Sequence, residues 1–251
     1  MMQSKLLTNS PWPLFMLSVG GGWWLLMQHH LSMSGSVHSH APSNVFLMWV
    51  LMTLVMMSTT AVPVLVSLHS VTTSSTTGNA QTVWWAFVSG YSVIWLGFAL
   101  VASSLQLTIA GLNFLDTHNG LNKLLSAGLL ITAGLYQFSS LKQKCQSECI
   151  APMQFFMRHW RDGVNGGFKM GLHHGVTCLG CCWALMMLAF VGGLTNIWFM
   201  VLSAAVMAVE KFPVIGRRIT LPLGVLIIIW GVAVLASSFT GVDIAQSHIH
   251  P

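Results

Sequence analysis

The sequence predicts an all-α, polytopic transmembrane helical bundle, with 1–251 forming a single integral membrane domain. Three observations predict it. Hydrophobic residues make up 54% of the chain and charged residues only 6%, which is not the composition of a soluble core. Apolar runs of roughly 20 residues, the length that crosses a hydrocarbon layer, recur between short polar breaks. The 11 tryptophans supply side chains suited to membrane interfaces.

Read in order, the runs give seven spans, near 12–29, 45–68, 83–108, 121–140, 167–191, 194–210 and 219–240. The first has a short apolar centre behind Lys5 and reads as a retained anchor, because no small-x-small cleavage site follows it. Its Gly20, Gly21 and Gly22 suit close helix packing, and Trp23 and Trp24 suit an interfacial belt. Span two carries Met48, Met52 and Met56 at i, i+4 and i+8, a thioether stripe on one face. The stretch 69–81 before span three is Ser/Thr-rich and reads as a loop, as does 29–44. Span four leads into a polar segment with Cys145 and Cys149, one helical turn apart if that segment is helical. Span five holds His173, His174, Cys178, Cys181 and Cys182. Glu210 and Lys211 close span six, and Arg217 and Arg218 sit in the tight turn to span seven, where both pairs read as anchors.

Charge sets the orientation. With the N-terminus cytoplasmic and the C-terminus outside, Lys5, Lys142, Lys144, Arg158, Arg161, Lys169, Lys211, Arg217 and Arg218 all lie inside. Lys123 alone does not. The same arrangement places His29, His30, His38, His40, His118, His248 and His250 outside, a loose metal-collecting surface or simply polar loops. Orientation and contact with anionic lipid account for the net charge of +5, so no nucleic-acid partner is inferred.

The chemistry concentrates in span five. At about 100° per residue from His174, Cys178 falls near 40°, Cys181 near −20°, Cys182 near 80° and Met170 near −40°, so these ligand types share a face. Reactive side chains at membrane depth are costly and mark a site. Thiolate and imidazole suit copper(I), zinc or an iron centre rather than magnesium or calcium. Counting ~1.5 Å per residue from Lys169, Cys178 and Cys182 lie roughly 14 and 20 Å deep. From the opposite face, Met52 and Met56 lie roughly 12 and 18 Å deep, near the same level. One helix cannot complete a tetrahedral site, since His174 and Cys181 stand about 10 Å apart along the axis. A second helix or a second ion is required, and span two supplies thioethers if the two spans touch. Packing remains the bland alternative for the methionines, and small-residue filling the alternative for Cys145 and Cys149.

Enzymatic alternatives find little support. Asp116, Glu148, Asp162, Glu210 and Asp243 lie in loops or at span ends, so neither a carboxylate dyad nor a serine triad is indicated. Haem ligation needs histidines facing one another across helices, and only His173 and His174 are clearly within the membrane.

Several pieces also carry a family resemblance: GYSVIW at 90–95, AGLYQFSSLKQKCQSEC at 133–149, HHGVTCLGCCWALM at 173–186 and VEKFPVIG at 209–216. WVLMTLVMM at 49–57 looks like a degraded Trp and Met-Met-Pro element. Together they resemble an uncharacterised bacterial family of predicted metal-binding integral membrane proteins, known only as a domain of unknown function. The resemblance implies helices, a metal and residence in the bacterial inner membrane, and no established reaction. Thr59 stands where that family has proline after the double methionine, and Ile150 where it tends to have arginine. Both departures leave the histidine and cysteine positions intact.

Two functions follow as expectations. In the first, the chain handles copper(I), with zinc as the alternative, through His174, Cys178, Cys181, Cys182, Met52, Met56, Cys145 and Cys149, for transfer or delivery. In the second it is an accessory subunit of a larger membrane complex, such as a copper-containing oxidase or monooxygenase. Low charge and the glycines of 166–193 suit burial against a membrane-protein partner or a second copy.

Overall fold

A computed structural model describes residues 12–32, 41–74, 80–112, 121–193, 196–212 and 215–240. Over these residues the chain is all-helical, without a strand: α1 (Trp12–Ser32), α2 (Pro42–Ser74), α3 (Ala80–Gly111), α4 (Lys123–Tyr136), α5 (Ser140–Ile150), α6 (Pro152–His159), α7 (Gly163–Met187), α8 (Ala189–Gly192), α9 (Ile197–Glu210) and α10 (Gly216–Thr240). Side-chain caps set several starts. Asn122, Ser139 and Asn196 accept from the backbone N–H groups of Leu125, Lys142 and Phe199, satisfying donors that a first helical turn leaves open. Gly163 (φ 76°) opens α7 and Gly193 (φ 85°) ends α8 in conformations that favour glycine.

Among the described residues, four stretches are long and apolar enough to cross a membrane: Pro42–Thr73, Ala80–Gly111, Gly163–Gly192 and Arg218–Phe239. The α4 and α5 pair, bent by 64°, makes a fifth if counted as one broken span. α9 is apolar but has 14 residues, about 21 Å of rise against a layer of about 30 Å. α1 has 21 residues, yet its glycines and the polar Gln28, His29 and His30 dilute its apolar content. These long apolar helices are compatible with a membrane protein. Large apolar side chains face outward on them, among them Leu100, Val101, Leu226 and Phe239.

Glycine placement explains which helices meet. Along α7, a Cβ at Gly167 would stand 2.7 Å from the Val83 carbonyl oxygen, and one at Gly171 would collide with that of Phe87. One at Gly175 would meet Ile94 at 2.8 Å. This four-residue repeat of bare backbone lets α7 lie directly on α3, its most extensive partner. Gly134, Gly224 and Gly231 do the same for α4 against α10. α2 also packs on α3, where the Trp49 indole donates to Gln106 Oε1 at 2.6 Å.

The bend after Tyr136 has a consequence for the site. It lays α5 across α7, held by an ion pair in which the Lys142 ammonium donates to both Glu210 oxygens at 3.1 and 2.9 Å. Both side chains are buried, and Gln146 adds a hydrogen bond to the Glu210 carbonyl. The sequence places Lys142 and Cys149 in a cytoplasmic segment; the fold buries both against the helices.

Candidate metal centre: a buried thiol cluster

α7 presents Cys178 and Cys181 one turn apart, and α5 brings Cys149 to meet them. The three sulfurs lie within 4.8 Å of one another, all buried. Cys149 and Cys181 are 3.8 Å apart, and Cys182 adds a fourth sulfur 3.2 Å from that of Cys181. All five cysteines are free thiols. Sulfurs bound about 2.3 Å from one ion in a trigonal plane stand about 4 Å apart, so this donor set fits a soft cation.

The surroundings supply charge and hydrogen bonds. At the end of α9 the Lys211 side chain turns inward and places Nζ 3.1 Å from Cys178 Sγ and 2.7 Å from Thr60 Oγ1 of α2. Neighbouring Glu210 is already committed to Lys142, which leaves Cys178 as the partner able to carry negative charge toward Lys211. A buried ammonium is tolerated only with such compensation. The Tyr91 hydroxyl of α3 lies 3.2 Å from Cys178 Sγ and 3.3 Å from the Met57 carbonyl oxygen. The Cys181 thiol donates to the Cys178 carbonyl at 3.1 Å.

The other sequence-derived residues take different places. His174 is buried one turn before Cys178, boxed by the rings of Phe87, Tyr91 and Phe155, with Nδ1 unpartnered. It is not among the three clustered ligands. Cys145 packs its sulfur over Gly180, where an added Cβ would lie 2.7 Å away, and likewise stays outside the group. Met52 and Met56 line a small cavity together with Met186 and Met200, and no cysteine lines it. His173 meets His159 of α6, ring centroids 4.3 Å apart. Of the expected outer histidines, His38, His40, His118, His248 and His250 lie outside the described residues, as do the side chains of His29 and His30.

Thr60, Tyr91 and Lys211 are missed by residue-by-residue reading. Tyr91 and Lys211 do fall in the GYSVIW and VEKFPVIG pieces, whose recurrence was the available signal. Lys211 reads from sequence as an inner-end anchor beside Glu210; in the fold Glu210 alone keeps such a role, through Lys142, and Lys211 joins the thiols.

A helical bundle with converging buried thiols beside a buried cation offers a ligand set that could hold a soft metal ion. Residues 46–234 match the family PpoB2, described as a copper chaperone, and the chain belongs to that family. No curated protein and no solved structure matches. The match supports a metal-binding family, as the resemblance implied, and copper is the metal that family indicates.

Proposed function

We propose that this protein is an integral membrane copper(I) chaperone that carries its cargo on Cys149, Cys178 and Cys181, with Cys182 as the exchanging ligand. The observation that carries the reading is the convergence of three buried sulfurs from two helices within 4.8 Å, in a chain of the copper chaperone family. Copper(I) in a thiolate set carries excess negative charge, and the Lys211 ammonium offsets part of it. On loading, thiol protons leave as sulfur–copper bonds form, and copper stays at +1 throughout. Cys182 beside Cys181 lets one bond form before another breaks, which suits hand-off better than storage.

The proposed setting is the bacterial inner membrane, with seven crossings and the N-terminus cytoplasmic. In this setting α1, α9 and the bent α4 and α5 pair complete the count. Outer histidines collect the ion, His174 with its unpartnered Nδ1 stands next to the cluster, and Cys145 lies one turn from Cys149 on the exit side. The receiver is a membrane-bound copper enzyme such as an oxidase or monooxygenase, docked on the outward apolar faces. Copper(I) titration of the detergent-purified protein against a chromophoric chelator, under reducing conditions, tests the reading. Cys178→Ser with Cys181→Ser should abolish the tight equivalent; equal copper retention in variant and parent overturns it.

A further inference from the structure

We infer that the cavity enclosed by Met52, Met56, Met186 and Met200 is a second copper(I) site, made of thioethers and distinct from the cysteine cluster. The inference rests on the reading that copper(I) is the cargo. Four helices line the cavity: α2 gives Met52 and Met56 one turn apart, α7 gives Met186, α9 gives Met200, and α8 adds Ala189. Each of the four side chains is at most 3% exposed. The space between them is about 10 Å³, room for roughly one water-sized sphere and hence for one ion.

Methionine is the side chain best able to fill an irregular gap, since it is unbranched and flexible. Here four of them surround a gap and leave it open. Besides the four methionines, the wall includes Leu185, Ala189, Phe199 and Ser203. Among the described residues no carboxylate or imidazole lines it, so zinc, calcium and magnesium lack the anionic or imidazole ligands that hold them in proteins, whereas thioether selects copper(I). Thioethers are neutral and carry no proton to displace. The site therefore binds more weakly than thiolate and with little dependence on pH, properties that suit a waypoint from which an ion moves on.

The test uses the full chain in detergent, with silver(I) as a redox-inert probe of soft-ligand sites and methionine methyl groups labelled with carbon-13. The methyls of Met52, Met56, Met186 and Met200 should shift on adding silver(I), also in the Cys178→Ser, Cys181→Ser protein. Replacing Met52, Met186 and Met200 by leucine conserves volume. It should weaken the second equivalent at least about tenfold, a change of about 1.4 kcal/mol, and leave the first unchanged. Unmoved methyls, or the same second equivalent in the leucine protein, make these residues packing and overturn the inference while leaving the cysteine reading intact. The converse result, moving methyls with no cysteine-dependent equivalent, overturns the cysteine reading and leaves this one standing. Should the triple variant not fold, Met200→Leu alone gives the same readout.

Discussion

The cysteine cluster and the methionine cavity are two sulfur-lined places in one bundle, and they are built on opposite principles. The cluster is charged. It has Lys211 at 3.1 Å, Tyr91 at 3.2 Å and sulfurs in mutual contact, held by an ion pair that pins α5 to the end of α9. The cavity is neutral, walled by apolar side chains and thioethers that no hydrogen bond orients. A site of the first kind binds by charge and must shed protons; one of the second binds by softness and size alone. On the proposed readings, affinity follows from what surrounds the sulfur rather than from how many sulfurs there are.

The most severe way to break the comparison is to pry α7, which contributes to both sites, off α3. Gly171→Leu inserts a side chain where α7 lies against the Phe87 carbonyl, backbone that cannot move aside. Loss of folded protein is expected, read as absence of a monodisperse peak in detergent size-exclusion chromatography. Normal yield with both copper equivalents would mean that the α3 and α7 contact does not organise the sites.

Next in size is the Lys142 and Glu210 pair. Lys142→Met leaves the Glu210 carboxylate buried and alone, a loss of about 3–5 kcal/mol. The thermal aggregation midpoint should fall, and the cysteine-dependent equivalent should weaken as α5 loosens its hold on Cys149. Lys142→Met with Glu210→Met should recover most of the stability, because no charge is then stranded. A double variant no better than the single would show that the ion pair itself, rather than the uncompensated charge, holds α5 in place.

Lys211→Met sharpens the comparison by acting on one site only. Removing the ammonium should weaken copper(I) at the cluster by about 10–100-fold, the usual scale for a group touching a ligand rather than the metal. The methionine site should not respond. Acid should mimic the asymmetry: as pH falls, protons compete for the thiolates and the first equivalent weakens, while the thioether equivalent holds. Parallel weakening of both under chelator competition would show that one electrostatic environment governs the two sites.

Much of this was legible in the sequence, and the remainder has physical reasons. The all-helical class follows from apolar run length, and the closeness of Cys178, Cys181 and Cys182 from their helical spacing in an apolar segment. Cys149 was visible as a candidate, but its union with α7 depends on a 64° bend between α4 and α5 that no periodicity signals. Lys211 looked like an end-of-span anchor because a lysine beside a glutamate usually is one, and only the fold shows that Glu210 is occupied elsewhere. Met52 and Met56 were candidate ligands on condition that their span touches the one that carries the cysteines. They do meet that helix, at Met186 rather than at a cysteine, because the glycine stripe seats α7 chiefly on α3 and leaves α2 within reach only of long side chains.

The smallest expected effect isolates one hydroxyl. Tyr91→Phe keeps the ring that stacks on His174 at 5.9 Å and deletes only the group 3.2 Å from Cys178 Sγ. A single hydrogen bond contributes about 0.5–1.5 kcal/mol, so copper(I) at the cluster should weaken by roughly two- to twelvefold. The methionine equivalent should be unchanged, and so should stability, apart from the lost contact with the Met57 carbonyl. That carbonyl belongs to α2, one residue beyond Met56, so the hydroxyl ties the wall of the cavity to the rim of the cluster. If Tyr91→Phe weakens both equivalents together, the two sites are linked through this hydroxyl, and the separation drawn between them gives way to one coupled path.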